Sequence, residues 1–155
     1  MPQVCVLGPM RVRDQIMSDV KFDGLRPLVL GLGCERGAPV HEVLALAEWA
    51  LREAGAGAEA LAAIASIDSR KSEPAVLAVA AHFSVPAVFF AAARLEEETP
   101  RLKNPSEIVF ARVGCHGVAE AAALAAAGAS AELAVAKIKS AHATAAVARI
   151  LLQNG

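Results

Sequence analysis

The stretch Leu28-Val29-Leu30-Gly31-Leu32-Gly33-Cys34-Glu35-Arg36-Gly37 decides how this chain is read. An apolar run closes in three closely spaced glycines with an arginine among them, the pattern of a buried strand ending in a tight turn. Directly after it, Val40, Val43, Leu44, Ala47 and Leu51 share one helical stripe, with His41, Glu48 and Arg52 opposite. A helix from Pro39 to Glu53 is therefore expected, with Pro39 near its first turn and Gly55 just past its end. A strand thus feeds a turn of bare backbone, and the next helix points its N-terminus there. That geometry suits an anionic ligand, and Gly31, Gly33, Cys34, Arg36 and Gly37 are its first candidate contacts.

Working outward, strand and helix signals alternate. Ile64 to Asp68 reads as a second strand, Pro86 to Ala91 as a third and Leu133 to Ala136 as a further one. The turn Asn104-Pro105-Ser106-Glu107 leads into Ile108 to Phe110. Helices are expected from the N-cap Ser72 to His82, from Gly117 to Ala127 with Gly128 closing it, and from Thr144 to Leu152, with at most a short one over Arg94 to Glu98. This alternation predicts an α/β fold. It is a three-layer α/β/α sandwich whose mostly parallel sheet of about five strands is covered by helices on both faces. Residues 1–26 show no clear period and read as an N-terminal extension, and residues 27–155 form the single domain.

Composition removes several function classes. The 155 residues carry a net charge of −1 and no Lys/Arg run, so the basic field expected of a nucleic-acid binder is missing. Apolar residues make up 55%, much of it alanine, with only five phenylalanines and one tryptophan, which indicates helices packed closely on a sheet rather than a spacious aromatic cavity. Cys5, Cys34 and Cys115 have no paired spacing, which argues for a reducing compartment and against a disulfide framework. No signal-peptide pattern or bilayer-length apolar run is evident, so a soluble, cytoplasmic protein with no membrane partner is expected.

Three further segments repeat the strand-end chemistry. Gly31, Gly33 and Gly37 invite a dinucleotide reading, but the third glycine falls one residue late and no acid follows at the ribose distance. A nucleotide-binding module stays open on the glycine turn alone. Asp68-Ser69-Arg70-Lys71-Ser72-Glu73-Pro74 joins a strand's end to a helix start: Lys71 can reach an anion, and Glu73 or Asp68 can serve as general base. Val113-Gly114-Cys115-His116-Gly117 opens another helix. Cys115 beside His116 suggests nucleophile chemistry, although sequence neighbours seldom face each other, and Glu120 in that helix's first turn offsets its dipole. No C-x-x-C or H-x-x-x-H spacing exists, so no metal site is expected. In Lys137-Ile138-Lys139-Ser140-Ala141-His142-Ala143-Thr144 the two lysines point to one side by the strand period. Four strand ends carrying glycines, cations or both should converge where parallel strands finish.

G-L-G-C-E-R-G at 31–37, I-D-S-R-K-S-E-P at 67–74, N-P-S-E at 104–107, V-A-E-A-A-A-L at 118–124 and K-I-K-S-A-H-A-T-A-A-V-A at 137–148 together resemble the CobE family of cobalamin biosynthesis. The same region is similar to the C-terminal part of CbiG, the cobalt-precorrin-5A hydrolase. One departure is Gly117, where related sequences often carry serine. The resemblance implies a protein that binds a precorrin or cobalt-precorrin intermediate as carrier or processing factor, with other corrin-pathway enzymes as partners. It implies no cofactor of its own, cobalt arriving only where it is already in the bound corrinoid. Carboxylate-rich precorrins suit glycines for close approach and cations for pairing, so the expected contacts are Gly31, Gly33, Cys34, Arg36, Gly37, Lys71, Gly114, Lys137, Lys139 and Thr144. The alternative is hydrolytic opening of the precorrin-5A lactone with loss of a two-carbon unit, for which Glu73, His116 and Asp68 are the candidate water-activating groups.

Overall fold

The computed structural model describes residues 26–107, 110, 111, 114 and 117–150. Apart from Arg26, the segment read as an N-terminal extension lies outside these residues, as do Ile108, Val109, Cys115 and His116. In chain order the elements are β1 (Leu28–Cys34), α1 (Val40–Glu53), β2 (Leu61–Ile67), α2 (Pro74–Phe83), β3 (Ala87–Phe90), the short α3 (Ala92–Glu96), α4 (Ala119–Ala127), β4 (Glu132–Lys139) and β5 (Ala143–Arg149).

The five strands form one sheet in the order β3-β2-β1-β5-β4. β3, β2 and β1 run parallel, whereas β5 is antiparallel to both β1 and β4, so the sheet is mixed. The α/β class and the strand number match expectation. The segment Thr144–Leu152 does not, because as far as Arg149 it is strand β5 rather than a closing helix, with Leu151 and Leu152 outside the described residues. Its alanines favour a helix locally, but it pairs with β1 from Leu28↔Arg149 to Cys34↔Ala143 and lies between helices on both faces. Small side chains fit that doubly covered position, and tertiary context overrides the local preference.

Residue parity along β1 sorts the core. Leu28, Leu30 and Leu32 pack with Val43, Ala47 and Leu51 of α1 and with Val76 and Val79 of α2. Val29 packs with Leu124 and the alanines of α4 on the opposite face. Gly31 follows Val29 on that face, and a Cβ there would lie 1.9 Å from the Ala119 carbonyl oxygen. Glycine is thus required at Gly31 because a helix approaches the strand backbone that closely, not because a ligand does.

Every residue of α4 is buried, Glu120 included. The helix's carbonyl end is closed by Arg101, whose guanidinium donates to the carbonyls of Leu124 (3.4 Å), Gly128 (3.2 Å), Ala129 (3.2 Å) and Ala131 (3.0 Å). Two of these carbonyls also accept a backbone amide, Leu124 from Gly128 and Gly128 from Ala131, and Arg101 adds a charged donor at this end of the helix. Arg101 is itself held by Glu98, which also receives Arg94 at 2.7 Å.

Candidate functional site

A cleft of about 360 Å³ opens at the sheet edge where β1, β2 and β4 end and β5 begins. Its wall gathers Gly33, Cys34 and Glu35 from β1 and the turn after it, Ile67 and Arg70 from the end of β2, and Gly117 and Val118 ahead of α4. The opposite side is Lys137 and Lys139 of β4 and the hairpin residues Ser140 to Thr144. The apolar part of this lining, Ile67 and Val118 above all, shares the cleft with three basic side chains, Arg70, Lys137 and Lys139.

The local geometry explains who reaches the cleft. The single 3₁₀ turn Asp68–Arg70 swings Arg70 back so that its Nε donates to the Cys34 carbonyl at 2.7 Å, while Asp68 and Lys71 are left exposed outside the lining. Glu73, not Ser72, is the N-cap of α2, and its carboxylate accepts the Gly37 amide at 2.9 Å. Gly37 adopts φ 76°, and this bond ties the glycine turn after β1 to the start of α2. Glu73 is buried in that structural task, and neither it nor Arg36 and Gly37 lines the cleft. Gly114 is exposed and Gly31 is taken up by helix packing, so both lie away from it as well. His116 lies outside the described residues. Of the expected contacts, the structure brings together Gly33, Cys34, Lys137, Lys139 and Thr144.

Gly33 keeps that wall open. A Cβ there would come within 2.8 Å of the Thr144 hydroxyl oxygen, which lies across the β1–β5 pair. Burial pushes the Cys34 thiol up to about 11, reinforced by the charge of Glu73 and opposed by Arg70. Cys34 therefore stays protonated and contributes shape rather than a thiolate.

Two carboxylates hold the cleft's walls. Glu120 accepts four hydrogen bonds: the amides of Lys103 and Asn104 (both 2.9 Å), the Asn104 side-chain amide (2.9 Å) and the Lys137 amide (2.8 Å). Burial alone raises the pKa of this group, but the donors, Asn104 foremost, hold it below the ordinary carboxylate range. The β4–β5 register slips between Val135 and Ile138, and that bulge turns the Lys137 amide out of the ladder toward Glu120. Glu120 thus does more than offset a dipole, because it fixes where Lys137 sits.

The second carboxylate is Glu42, in the first turn of α1. It accepts the Ser140 hydroxyl and, at 2.7 Å, the His142 amide, while its other oxygen lies 2.8 Å from His142 Nδ1. The hairpin is closed further by Ser140 N donating to Ala143 O (2.9 Å) and Glu35 N donating to His142 O (3.0 Å). The bonds from Ser140 and His142 lower Glu42 to about 2, and Glu42 in turn raises His142.

Glu35, Arg70, Ser140 and His142 are polar cleft side chains absent from the contacts expected from the sequence. Arg70 stood beside Lys71 in a segment already singled out, but only the 3₁₀ turn decides which of the two faces inward. His142 was hidden because reading Thr144 onward as helix removes the hairpin that presents it. Among the described residues no three His, Cys, Asp or Glu side chains gather where they could hold a metal ion, and no helix is long and apolar enough to cross a membrane.

Comparison with known proteins agrees with this architecture. The family described as Cobalamin synthesis G C-terminus matches residues 28–148. The chain is 64% identical over 121 residues to Protein CobE of Sinorhizobium sp, covering 78% of this chain and 79% of that protein. It is 32% identical over 123 residues to the cobalt-precorrin-5A hydrolase of Priestia megaterium, covering 79% of this chain but only 32% of the hydrolase. A crystal structure of CobE, a protein from the cobalamin (vitamin B12) biosynthetic pathway, superposes with a TM-score of 0.76 at 39% identity, over 81% of this chain and 95% of that one. The chain belongs to the CobE family of cobalamin biosynthesis, whose fold is that of the cobalamin synthesis G C-terminus.

Proposed function

We propose that this protein binds a precorrin-type tetrapyrrole as a carrier or processing factor in corrin-ring synthesis, and that the cleft takes one carboxylate-bearing edge of the macrocycle. The observation that carries this reading is the placement of Arg70, Lys137 and Lys139 around an apolar wall of Cys34, Ile67 and Val118. A precorrin has the complementary character, an apolar ring fringed by acetate and propionate groups. Lysines and an arginine at the rim pair with the fringe, while the apolar wall takes ring surface. At about 360 Å³ the cleft suits an edge of such a ring rather than its whole area.

The test is to purify the protein from cells that accumulate corrin-ring precursors and record its absorbance spectrum. A retained tetrapyrrole band is expected, and Lys137→Glu combined with Lys139→Glu should strip it while the far-UV circular dichroism stays unchanged. A colourless wild-type protein, with precursors demonstrably present, overturns the reading. NAD or ATP at millimolar concentration serves as a control, and a rise in Tm with either would favour a nucleotide module instead.

A second reading rests on the 32% identity to the Priestia hydrolase, of which the chain spans about a third. Lactone opening with loss of the two-carbon unit would release acetaldehyde from cobalt-precorrin-5A, and assay of that product by the purified protein decides it. Asp68 and Glu73 stand outside the cleft, so a base from that pair would serve a substrate held elsewhere.

A further inference from the structure

Beyond closing the hairpin, the Glu42–His142 pair sets an imidazole at the cleft. His142 lines the cleft with a side chain 46% exposed, whereas its partner Glu42 is 18% exposed and is not part of the lining. Glu42 grips the hairpin at three points, the Ser140 hydroxyl, the His142 amide and the His142 ring. A turn tip presenting an unconstrained imidazole would need none of these. With Nδ1 engaged by a carboxylate, the ring's orientation is set and Nε2 is the nitrogen left for a ligand.

We propose that His142, positioned by Glu42, is a proton-dependent ligand for one carboxylate of the polyanion in the cleft. The inference rests on the function proposed above and deepens it. Glu42 from α1 and Glu35 after β1 are the charges that act on the ring, and the other charged or titratable groups lining the same cleft are Cys34 from the end of β1, Arg70 after β2, and Lys137 and Lys139 from β4. Histidine is the side-chain type that ordinarily changes its charge near neutral pH. His142 is thus the group whose charge changes in that window, with Glu42 favouring the imidazolium and Glu35 adding to it. An imidazolium facing a carboxylate gives a charge-assisted hydrogen bond that the neutral ring cannot match in strength. Binding is strongest below the raised His142 pKa and weakens as pH rises through it.

The experiment has two arms. The first follows the His142 ring by NMR in the free protein: its titration midpoint lies above that of an ordinary histidine and falls back toward it in Glu42→Gln. The second measures affinity for the corrin heptacarboxylate cobyrinic acid by calorimetry from pH 6 to 9. Wild-type affinity is expected to fall about ten-fold across the titration, Glu42→Gln to move the fall to lower pH, and His142→Gln to abolish it. Both residues lie outside the core clusters, so both variants should fold. A pH slope that survives in His142→Gln, or a wild-type His142 that titrates at the ordinary value, overturns this inference and leaves the proposed function standing. Absence of cobyrinic acid binding at every pH removes the proposed function and this inference with it.

Discussion

Glu120 and Glu42 are both carboxylates with several donors to one head group, yet they do opposite work. Glu120 is 2% exposed and has four hydrogen bonds, three from one loop and one from a strand. Glu42 sits at the surface and ties a single hairpin to the start of α1. The difference lies in what replaces the bond when it is lost. Around Glu42, water reaches the freed donors. Around Glu120 it does not, so three backbone amides and a side-chain amide would be left without an acceptor. A cleft wall can therefore be fixed from the inside, at the expense of any freedom to change, or from the outside, where protonation can still adjust it.

The sharpest way to break this contrast is Glu120→Ala, which should cost about 4 kcal/mol, read as a lower urea midpoint. A loss below about 1 kcal/mol would place Glu120 in the same category as a surface ion pair. Next comes Lys139→Glu, which leaves the fold intact and should weaken cobyrinic acid binding by more than about ten-fold. Equal affinity would show that the rim between the two carboxylates does not meet the ligand.

Glu42→Gln should have a smaller effect, visible only against pH. The folded value of Glu42 is lowered from 4.5 to about 2, so its contribution is fully present above the ordinary value and lost as pH falls toward the lowered one. The fall in Tm over that acid range should become shallower in Glu42→Gln. His142 has the reverse sign: raised in the fold, it stabilises below its ordinary value, and that contribution is lost as pH rises through the raised one. Glu42→Gln should flatten both limbs, and flattening only one would uncouple the pair. The smallest effect belongs to Arg36→Glu. Arg36 is exposed and outside the cleft lining, so cobyrinic acid affinity should change by no more than about two-fold.

How much of this was legible in the sequence follows from which residues report their own surroundings. β1 and α1 announce themselves, because Leu28, Leu30 and Leu32 alternate and Val43, Ala47 and Leu51 recur at helical spacing. β5 does not, because Thr144 to Ala148 is small and alanine-rich, and only its two neighbouring strands and two covering helices make it extended. Within the site, Gly33, Lys137 and Lys139 were readable from strand ends. Gly31 looked like a ligand contact because glycine records that something comes close without saying what, and here it is Ala119. Arg70 and His142 depend on one 3₁₀ turn and one hairpin, local geometry that no residue pattern specifies.

α4 is nearly a smooth rod. Seven of its nine residues are alanine, and alanines offer few knobs to lock a helix against its neighbours. What indexes the rod is its ends: Glu120 engages Lys137 at one, and Arg101 collects carbonyls at the other. A slip of one residue along the axis would disengage both together and drag Val118 across the cleft. The phase of this helix is thus set by two polar latches together with its close seat over Gly31, and Arg101, which does not line the cleft, has a say in the width of its mouth.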